Sequence, residues 1–146
     1  TGYGKHIRIL TPPDESGDFY ELVYGHCDTI NVRIGDKVPD NFVIGGMGNN
    51  GFIISNSTPY WGTAPAGVGV HLHFGVRKCS LYGDKAPTLT IYSSGKKVFV
   101  YDYNNGLFGY LDPLKFIEAE GGTLNIAMGL INSLKMKIAE FLKGRQ

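Results

Sequence analysis

The sequence predicts an all-β domain of antiparallel strands, followed by one C-terminal amphipathic helix. Short apolar runs with a period of two recur through most of the chain, as in half-buried strands. The 21 glycines lie in clusters that are typical of turns. In the tail, apolar residues recur every three or four positions instead, as on one face of a helix. With 146 residues, 42% of them hydrophobic, the chain suits one compact domain.

The first two predicted strands are "GKHIRIL" and "FYELVYGH", joined by the polar loop "TPPDESGD". In the second strand, the period of two places Tyr20, Leu22, Tyr24 and His26 on one face. The next segment, "INVRIGDKVPDNFVIGGMGNNG", alternates short apolar runs with turn signals. Residues 52–66 are predicted to form a loop with a semi-rigid aromatic rim.

The later part of the chain predicts a strand with two histidines, a hairpin over "LTIYSSGKKVFVYDY", and a helix. Thr123 is the expected N-cap, and the helix is expected to end near Gly144 after about five turns. Its apolar residues are Ala127, Leu130, Ile131, Leu134, Ile138, Phe141 and Leu142. We expect this helix to dock on the sheet or on a neighbouring subunit, because it carries no interfacial tryptophan for a membrane surface.

Composition argues against two classes of partner. The 14 Lys and Arg residues nearly balance 13 Asp and Glu residues, and no basic stripe suggests nucleic acid. No stretch approaches the roughly 20 apolar residues of a membrane span, so membrane insertion is not expected. Cys27 and Cys79 form either one disulfide or two small buried side chains. The buried thiols are favoured, because neither cysteine lies in a C-x-x-C spacing.

The strongest chemical signal is "GVGVHLHFGVR", which holds His71 and His73. In a strand these two side chains share one face about 7 Å apart. The flanking glycines allow a ligand to approach closely, and His26 ends another strand, so a third imidazole is able to converge. A strand with partly exposed, inactive imidazoles is the alternative interpretation.

Several segments together resemble the lysostaphin-like (LytM-like) zinc endopeptidases, which cut peptide cross-bridges of bacterial peptidoglycan. "HLHFGVR" resembles the second signature of that family, and "YELVYGHCDTINVRIGDKV" resembles its Tyr-x-His segment and the V-x-x-G-x-x-V pattern that follows. "GYGKHIRI", "IGGMGNNG" and "GYLDPLKF" resemble further family segments in the same order. The resemblance extends from residue 2 to about residue 117, with a long insertion at 52–66 and an extra hairpin near 89–101.

The resemblance implies a sheet or sandwich of the lysostaphin-like type and a role for each histidine. His73 matches a zinc ligand, and His71 matches a catalytic histidine that works with His26. In this family zinc polarises the scissile carbonyl and activates a water molecule, which fits the general chemistry of catalytic zinc. Imidazole has a pKa close to the range needed for proton transfer.

One family motif has no counterpart in this sequence. The family's His-x-x-x-Asp motif supplies two further zinc ligands, and no such spacing occurs here. One imidazole does not hold a catalytic zinc, which normally needs three protein ligands. Either the first half of the domain lies outside this sequence, or the chain has lost its metal. The retained histidines favour the former, and His6 as a substitute ligand is a third possibility.

The sequence therefore predicts a peptidase domain over 1–118, as the C-terminal portion of such a domain, and a helical extension over 119–146. The expected function is zinc-dependent hydrolysis of peptidoglycan cross-links, and a phage tail or virion is one expected setting for it. Zn²⁺ is expected only if upstream sequence or another chain supplies the missing ligands. The alternative is a metal-free module that binds the cell wall or serves a structural role. Expected partners are peptidoglycan, and protein partners or a second copy through the C-terminal helix. The expected location is extracellular, cell-wall associated or in a virion.

Overall fold

The computed structural model describes residues 2–82, 88–91 and 96–119. Strands and one helix alternate with turns through these residues. The elements are β1 (Ile7–Leu10), β2 (Asp18–Gly25), β3 (Cys27–Ile30), β4 (Gly45–Met47), β5 (Ile53–Ser55), β6 (Thr58–Tyr60), β7 (His73–Ser80), β8 (Thr88–Ile91), β9 (Lys96–Val100) and α1 (Pro113–Ala119). The all-β prediction is confirmed.

One five-stranded antiparallel sheet dominates the fold, in the order β1-β2-β7-β9-β8. Its longest pairing joins β2 and β7 over eight residue pairs, from Asp18 opposite Ser80 to Gly25 opposite His73. Two small ribbons, β3-β4 and β5-β6, stand beside this sheet. The β2–β7 register matters for function, because it places the end of the tyrosine-bearing strand beside the start of the histidine strand.

Apolar side chains cover both faces of the sheet. On one face Leu22 and Val76, which are opposite each other, pack in a buried cluster with Ile7, Tyr24, Cys27, Ile44 and Phe116. On the other face Phe19 and Cys79, also opposite each other, pack with Val98 and Val100. The period of two in β2 produces this division, since alternate residues point to opposite faces.

The two cysteines are free buried thiols, and they belong to the two different clusters. The preference for buried thiols is therefore confirmed. Burial raises the pKa of Cys27, and it raises that of Cys79 to about 12. Both groups are consequently neutral packing residues at physiological pH.

The predicted loop over 52–66 is wrong in part, because it contains the β5–β6 hairpin. Asn56 and Ser57 connect its strands with φ angles of 48° and 63°, as in a type I′ turn. Pro59 lies in the second strand, where it removes a backbone donor. The sequence pattern did not indicate this hairpin, because Pro59 is uncommon inside strands and the turn lacks the Asn-Gly pair that is typical of hairpins.

The helix of the structure is α1, which the periodicity did not predict. Asp112 caps it, because its Oδ1 atom accepts a hydrogen bond from the Leu114 backbone N at 3.0 Å. Pro113 occupies the first helical position, where its missing N–H costs nothing. Phe116 is buried from this helix against Tyr20, with ring centroids 4.7 Å apart. The amphipathic helix predicted from Thr123 lies outside the described residues.

Candidate functional site

Three imidazoles meet where β2 ends and β7 begins. His26 follows β2 directly, and His73 opens β7 opposite Gly25. The ring centroids of His26 and His71 are 4.5 Å apart, and those of His26 and His73 are 5.6 Å apart. The structure thus brings together all three histidines that the sequence singled out.

His26 adopts a left-handed backbone conformation, with φ of 60°. This conformation separates β2 from β3 and turns the chain at the histidine. The His26 backbone N donates to the Tyr3 carbonyl at 2.9 Å, and the residue is only 3% exposed. Uncommon backbone conformations of this kind persist where surrounding contacts hold them, often at functional sites.

Two of the three rings are oriented by backbone carbonyl groups. The Nδ1 atom of His26 lies 2.7 Å from the Asn50 oxygen, and that of His71 lies 2.7 Å from the Gly69 oxygen. A carbonyl oxygen only accepts hydrogen bonds, so each Nδ1 carries the proton. In the neutral form of each ring the Nε2 atom then has a free lone pair, which is able to accept a proton or bind a metal.

His73 is held differently, by a ring contact. The rings of Tyr3 and His73 form a T-shaped contact, with centroids 4.8 Å apart and planes at 81°. Burial lowers the pKa of His73 below its ordinary value of 6.5, and the charges of His26 and His71 lower it further. The neutral imidazole is therefore favoured, and this is the form that is able to bind a metal.

The asparagines of "GMGNNG" hold the loops around the histidines. The side chain of Asn50 accepts from the Lys5 backbone N at 2.7 Å and donates to Thr63 at 2.9 Å. The buried Nδ2 atom of Asn49 donates to the carbonyls of Ala64, Pro65 and Val68. These bonds fix the segment that leads into the histidine strand. The sequence pattern at both asparagines indicated only a turn.

Part of the predicted rim is an exposed aromatic pair. Trp61 is 77% exposed, and its ring packs on Phe52 with centroids 4.2 Å apart. The backbone N of Phe52 donates to the Gly2 carbonyl at 3.0 Å, close in sequence to Tyr3. The outer face of Trp61 is open to a ligand.

His6 stands apart from the histidine cluster. Its Nδ1 atom lies 2.9 Å from the Gly4 carbonyl oxygen, and its ring contacts Tyr3 with centroids 6.0 Å apart. Within the described residues, no group of three or more His, Cys, Asp or Glu side chains is arranged to hold a metal ion. The donors of this part of the chain therefore do not form a complete zinc site.

The all-β fold and the three clustered imidazoles indicate a protein with a histidine-based site. Comparison with known protein families identifies the family to which the chain belongs. The model of peptidase family M23 matches residues 1–88 of the 146. The chain belongs to peptidase family M23. Family membership confirms the resemblance to lysostaphin-like enzymes. Searches of curated proteins and of solved structures gave no significant match.

The family is one of metallopeptidases of the peptidoglycan-hydrolase type, and its members generally depend on zinc. They act on cell walls, often outside the cell. The described part of the chain contains no helix with the length and apolarity needed to span a membrane.

Proposed function

We propose that this chain is the histidine-bearing part of a zinc endopeptidase domain that hydrolyses peptide cross-links of bacterial peptidoglycan. The observation that carries the proposal is the convergence of His26, His71 and His73, in a chain of family M23. Three imidazoles at one point suit proton transfer and metal binding together.

The proton-transfer roles belong to His71 and His26. His71 is exposed, and its Nε2 lone pair is able to accept a proton next to a bound peptide and return it to the leaving amine. His26 is buried beside His71, with its ring fixed by the Asn50 carbonyl. In this proposal His26 orients His71 and stabilises charge that develops beside it.

His73 is the proposed zinc ligand of this chain. The described residues offer no complete donor set, so the remaining ligands come from upstream sequence or from another chain. Zinc, where bound, would supply Lewis acidity and an activated water. The His73 ring contributes a neutral donor, in keeping with its lowered pKa.

An uncharged substrate segment fits the surroundings of this site. Residues 41–76, which include His71 and His73, contain no Asp, Glu, Lys or Arg. The exposed ring of Trp61 lies in the same segment. An uncharged peptide bridge suits contact with this segment, because it needs no charged partner there.

The sequence patterns carry four further parts of the proposal. In this proposal residues 1–118 are the C-terminal portion of the peptidase domain. The helical extension that the sequence predicts over 119–146, which from residue 120 lies outside the described residues, would contact a protein partner or a second copy of the chain. We also propose that the protein acts outside the cell, either at the cell wall or as a component of a phage tail or virion.

The test uses the complete polypeptide that contains this chain. We expect bound zinc, release of muropeptides from purified peptidoglycan, loss of release after chelation, and recovery when zinc is restored. His71→Ala should reduce the release about 10²–10⁴-fold, the range of general acid–base catalysis. Release that survives both chelation and His71→Ala would contradict the proposal.

A metal-free wall-binding module is the second candidate, favoured by the incomplete donor set of the described residues. The same experiment separates the two functions. Protein that contains no zinc, releases no muropeptides and sediments with peptidoglycan equally well before and after His71→Ala would support the module.

A further inference from the structure

His73 differs from its two neighbours in how its ring is held. Carbonyl groups accept hydrogen bonds from the Nδ1 atoms of His26 and His71. No hydrogen bond to the His73 ring is found among residues 2–82, 88–91 and 96–119, and its side chain is exposed. Of its ring neighbours in the described residues, Tyr3 lies nearer to His73 than His26 does, at 4.8 Å against 5.6 Å between centroids.

Tyr3 occupies a space that two neighbouring backbones leave for it. Gly25 lies opposite His73 in the β2–β7 pairing. A methyl group at Gly25 would lie 3.1 Å from Cδ1 of Tyr3 and 3.2 Å from Cβ of His73. The missing side chain at Gly25 thus lets the tyrosine ring lie against the histidine.

The Tyr3 side chain interacts with a second tyrosine, Tyr110. Burial raises the pKa of Tyr110 above its ordinary value, and a side-chain hydrogen bond with Tyr3 raises it further. Geometry supports this proximity, because Tyr3 lies over Gly25 opposite His73 and Tyr110 lies over Gly75, two residues further along the same face of β7.

Tyr110 lies along the face of β7 that carries His73. Residues 73, 75 and 77 of the strand share this face. A methyl group at Gly75 would lie 2.8 Å from Cε1 of Tyr110, so the ring covers the glycine closely. The backbone of Tyr110 pairs with Arg77, and the Leu111 N donates to the Val76 carbonyl at 2.8 Å.

A buried ion pair between Arg77 and Glu21 lies next to the Tyr110 ring. The Arg77 guanidinium lies 4.8 Å from the centre of the Tyr110 ring and binds Glu21 on β2. Both charged side chains are about 95% buried, and Arg8 also binds Glu21 at 3.0 Å. Buried, paired charges hold a well-defined geometry, because a displaced partner would leave a desolvated charge.

We propose that Tyr3 and Tyr110 are positioning residues for His73, and that together they link its ring to the buried Glu21–Arg77 pair. The role in catalysis rests on the proposed function, in which His73 binds zinc. The positioning of the His73 ring by the two tyrosines does not depend on the proposed function, because it concerns only contacts within this chain.

The test compares Tyr110→Phe with wild type by NMR of labelled aromatic side chains in the whole 146-residue chain. The variant keeps the ring over Gly75 and Arg77 but removes the hydroxyl that meets Tyr3. We expect the nuclear Overhauser effect between Tyr3 and His73 to fall at least about twofold, and the His73 ring to reorient more freely on the ps–ns timescale.

Tyr82→Phe is the matched control, because Tyr82 lies beyond the opposite end of β7 and is 67% exposed. The NMR signals of His73 in Tyr82→Phe should equal those of wild type.

Gly75→Ala is the second test variant, since the added methyl group displaces the Tyr110 ring while the Tyr110 hydroxyl is retained. Like Tyr110→Phe, it should weaken the nuclear Overhauser effect between Tyr3 and His73 and let the His73 ring reorient more freely.

An activity measurement on the complete polypeptide separates positioning from general destabilisation. At a temperature where both variants are folded, Tyr110→Phe should lower kcat about tenfold and leave KM within about twofold of wild type. If the complete polypeptide has no hydrolase activity but Tyr110→Phe still loosens His73, the proposed function fails and the positioning role stands. His73 signals in Tyr110→Phe identical to those of wild type would overturn the positioning role, whatever the activity.

Discussion

The Nδ1 atom of His26 lies 2.7 Å from the carbonyl oxygen of Asn50, 24 residues further along the chain. Because the oxygen only accepts, this contact fixes which nitrogen of His26 carries the proton. It also connects β2 to the turn that precedes the histidine strand. One long-range hydrogen bond thus sets both the orientation and the chemistry of a buried imidazole.

The first prediction concerns these protonation states. Long-range ¹H–¹⁵N NMR spectra, recorded where the rings are neutral, should show His26 and His71 protonated at Nδ1. His6 should also be protonated at Nδ1, because its Nδ1 atom lies 2.9 Å from the Gly4 carbonyl oxygen. A proton on Nε2 of His26 or His71 would show that the carbonyl contacts do not select the tautomer.

The second prediction concerns the backbone at His26. Asn tolerates a positive φ better than Ala, and a β-branched residue tolerates it least. Urea unfolding should therefore rank stability as wild type, His26→Asn, His26→Ala and His26→Val. The alanine variant should lie about 1 kcal/mol below the asparagine variant. Equal stability of these two variants would mean that the left-handed conformation at position 26 is absent or costs nothing.

The third prediction concerns Tyr24, whose hydroxyl is buried without a hydrogen-bond partner in the described part of the chain. Burial raises the pKa of this phenol to about 12. Tyr24→Phe removes the unsatisfied group and keeps the ring packed on Phe74. Thermal and urea unfolding should show unchanged stability or a gain of about 1 kcal/mol. A loss of similar size would reveal a hydrogen bond to the hydroxyl, for example from a buried water.

The fourth prediction concerns acid stability through Asp18. Its hydrogen bond with Lys78 and those with Tyr101 and Ser80 lower its pKa from 3.8 to about 2, against a smaller opposing effect of burial. Because the unfolded chain binds this proton more readily, the contribution is present above pH 3.8 and is lost as the pH falls through about 2.

Urea unfolding as a function of pH measures this contribution directly. The stability of wild type should decline between pH 4 and pH 2 more steeply than that of Asp18→Asn. Asp14→Asn is a useful comparison, because Asp14 also accepts hydrogen bonds but makes no ion pair in the described structure. Parallel curves for wild type and Asp18→Asn would contradict the lowered pKa.

The strands and the histidine pair were predictable because local patterns determine them. Alternating apolar residues identified β2, and the histidine pair in an apolar run indicated β7, although β7 begins at His73 and His71 lies in an isolated bridge with Gly48. Such signals are visible in a single sequence because side-chain direction in a strand depends only on position. The period of two alone would place His26 on the face of Leu22 and Tyr24, so its convergence with His73 depends on the left-handed backbone at His26, which no local pattern predicts.

Other parts of the site depend on contacts that no local pattern encodes. The roles of Asn49 and Asn50 arise from hydrogen bonds to residues 13–45 positions away. The contact of Tyr3 with Tyr110 joins the two ends of the described chain. The β5–β6 hairpin was missed because Pro59 is uncommon inside strands, and α1 is too short for a clear helical period.

The most direct test of the histidine site is muropeptide release by the complete polypeptide, with His26→Asn compared against His6→Asn. Both variants replace an imidazole with the same smaller amide, and asparagine suits the backbone of position 26. We predict that His26→Asn, confirmed to be folded, releases muropeptides about 10²–10⁴-fold more slowly, while His6→Asn stays within about threefold of wild type. A folded His26→Asn variant with the activity of His6→Asn would contradict a reactive centre built on the three imidazoles.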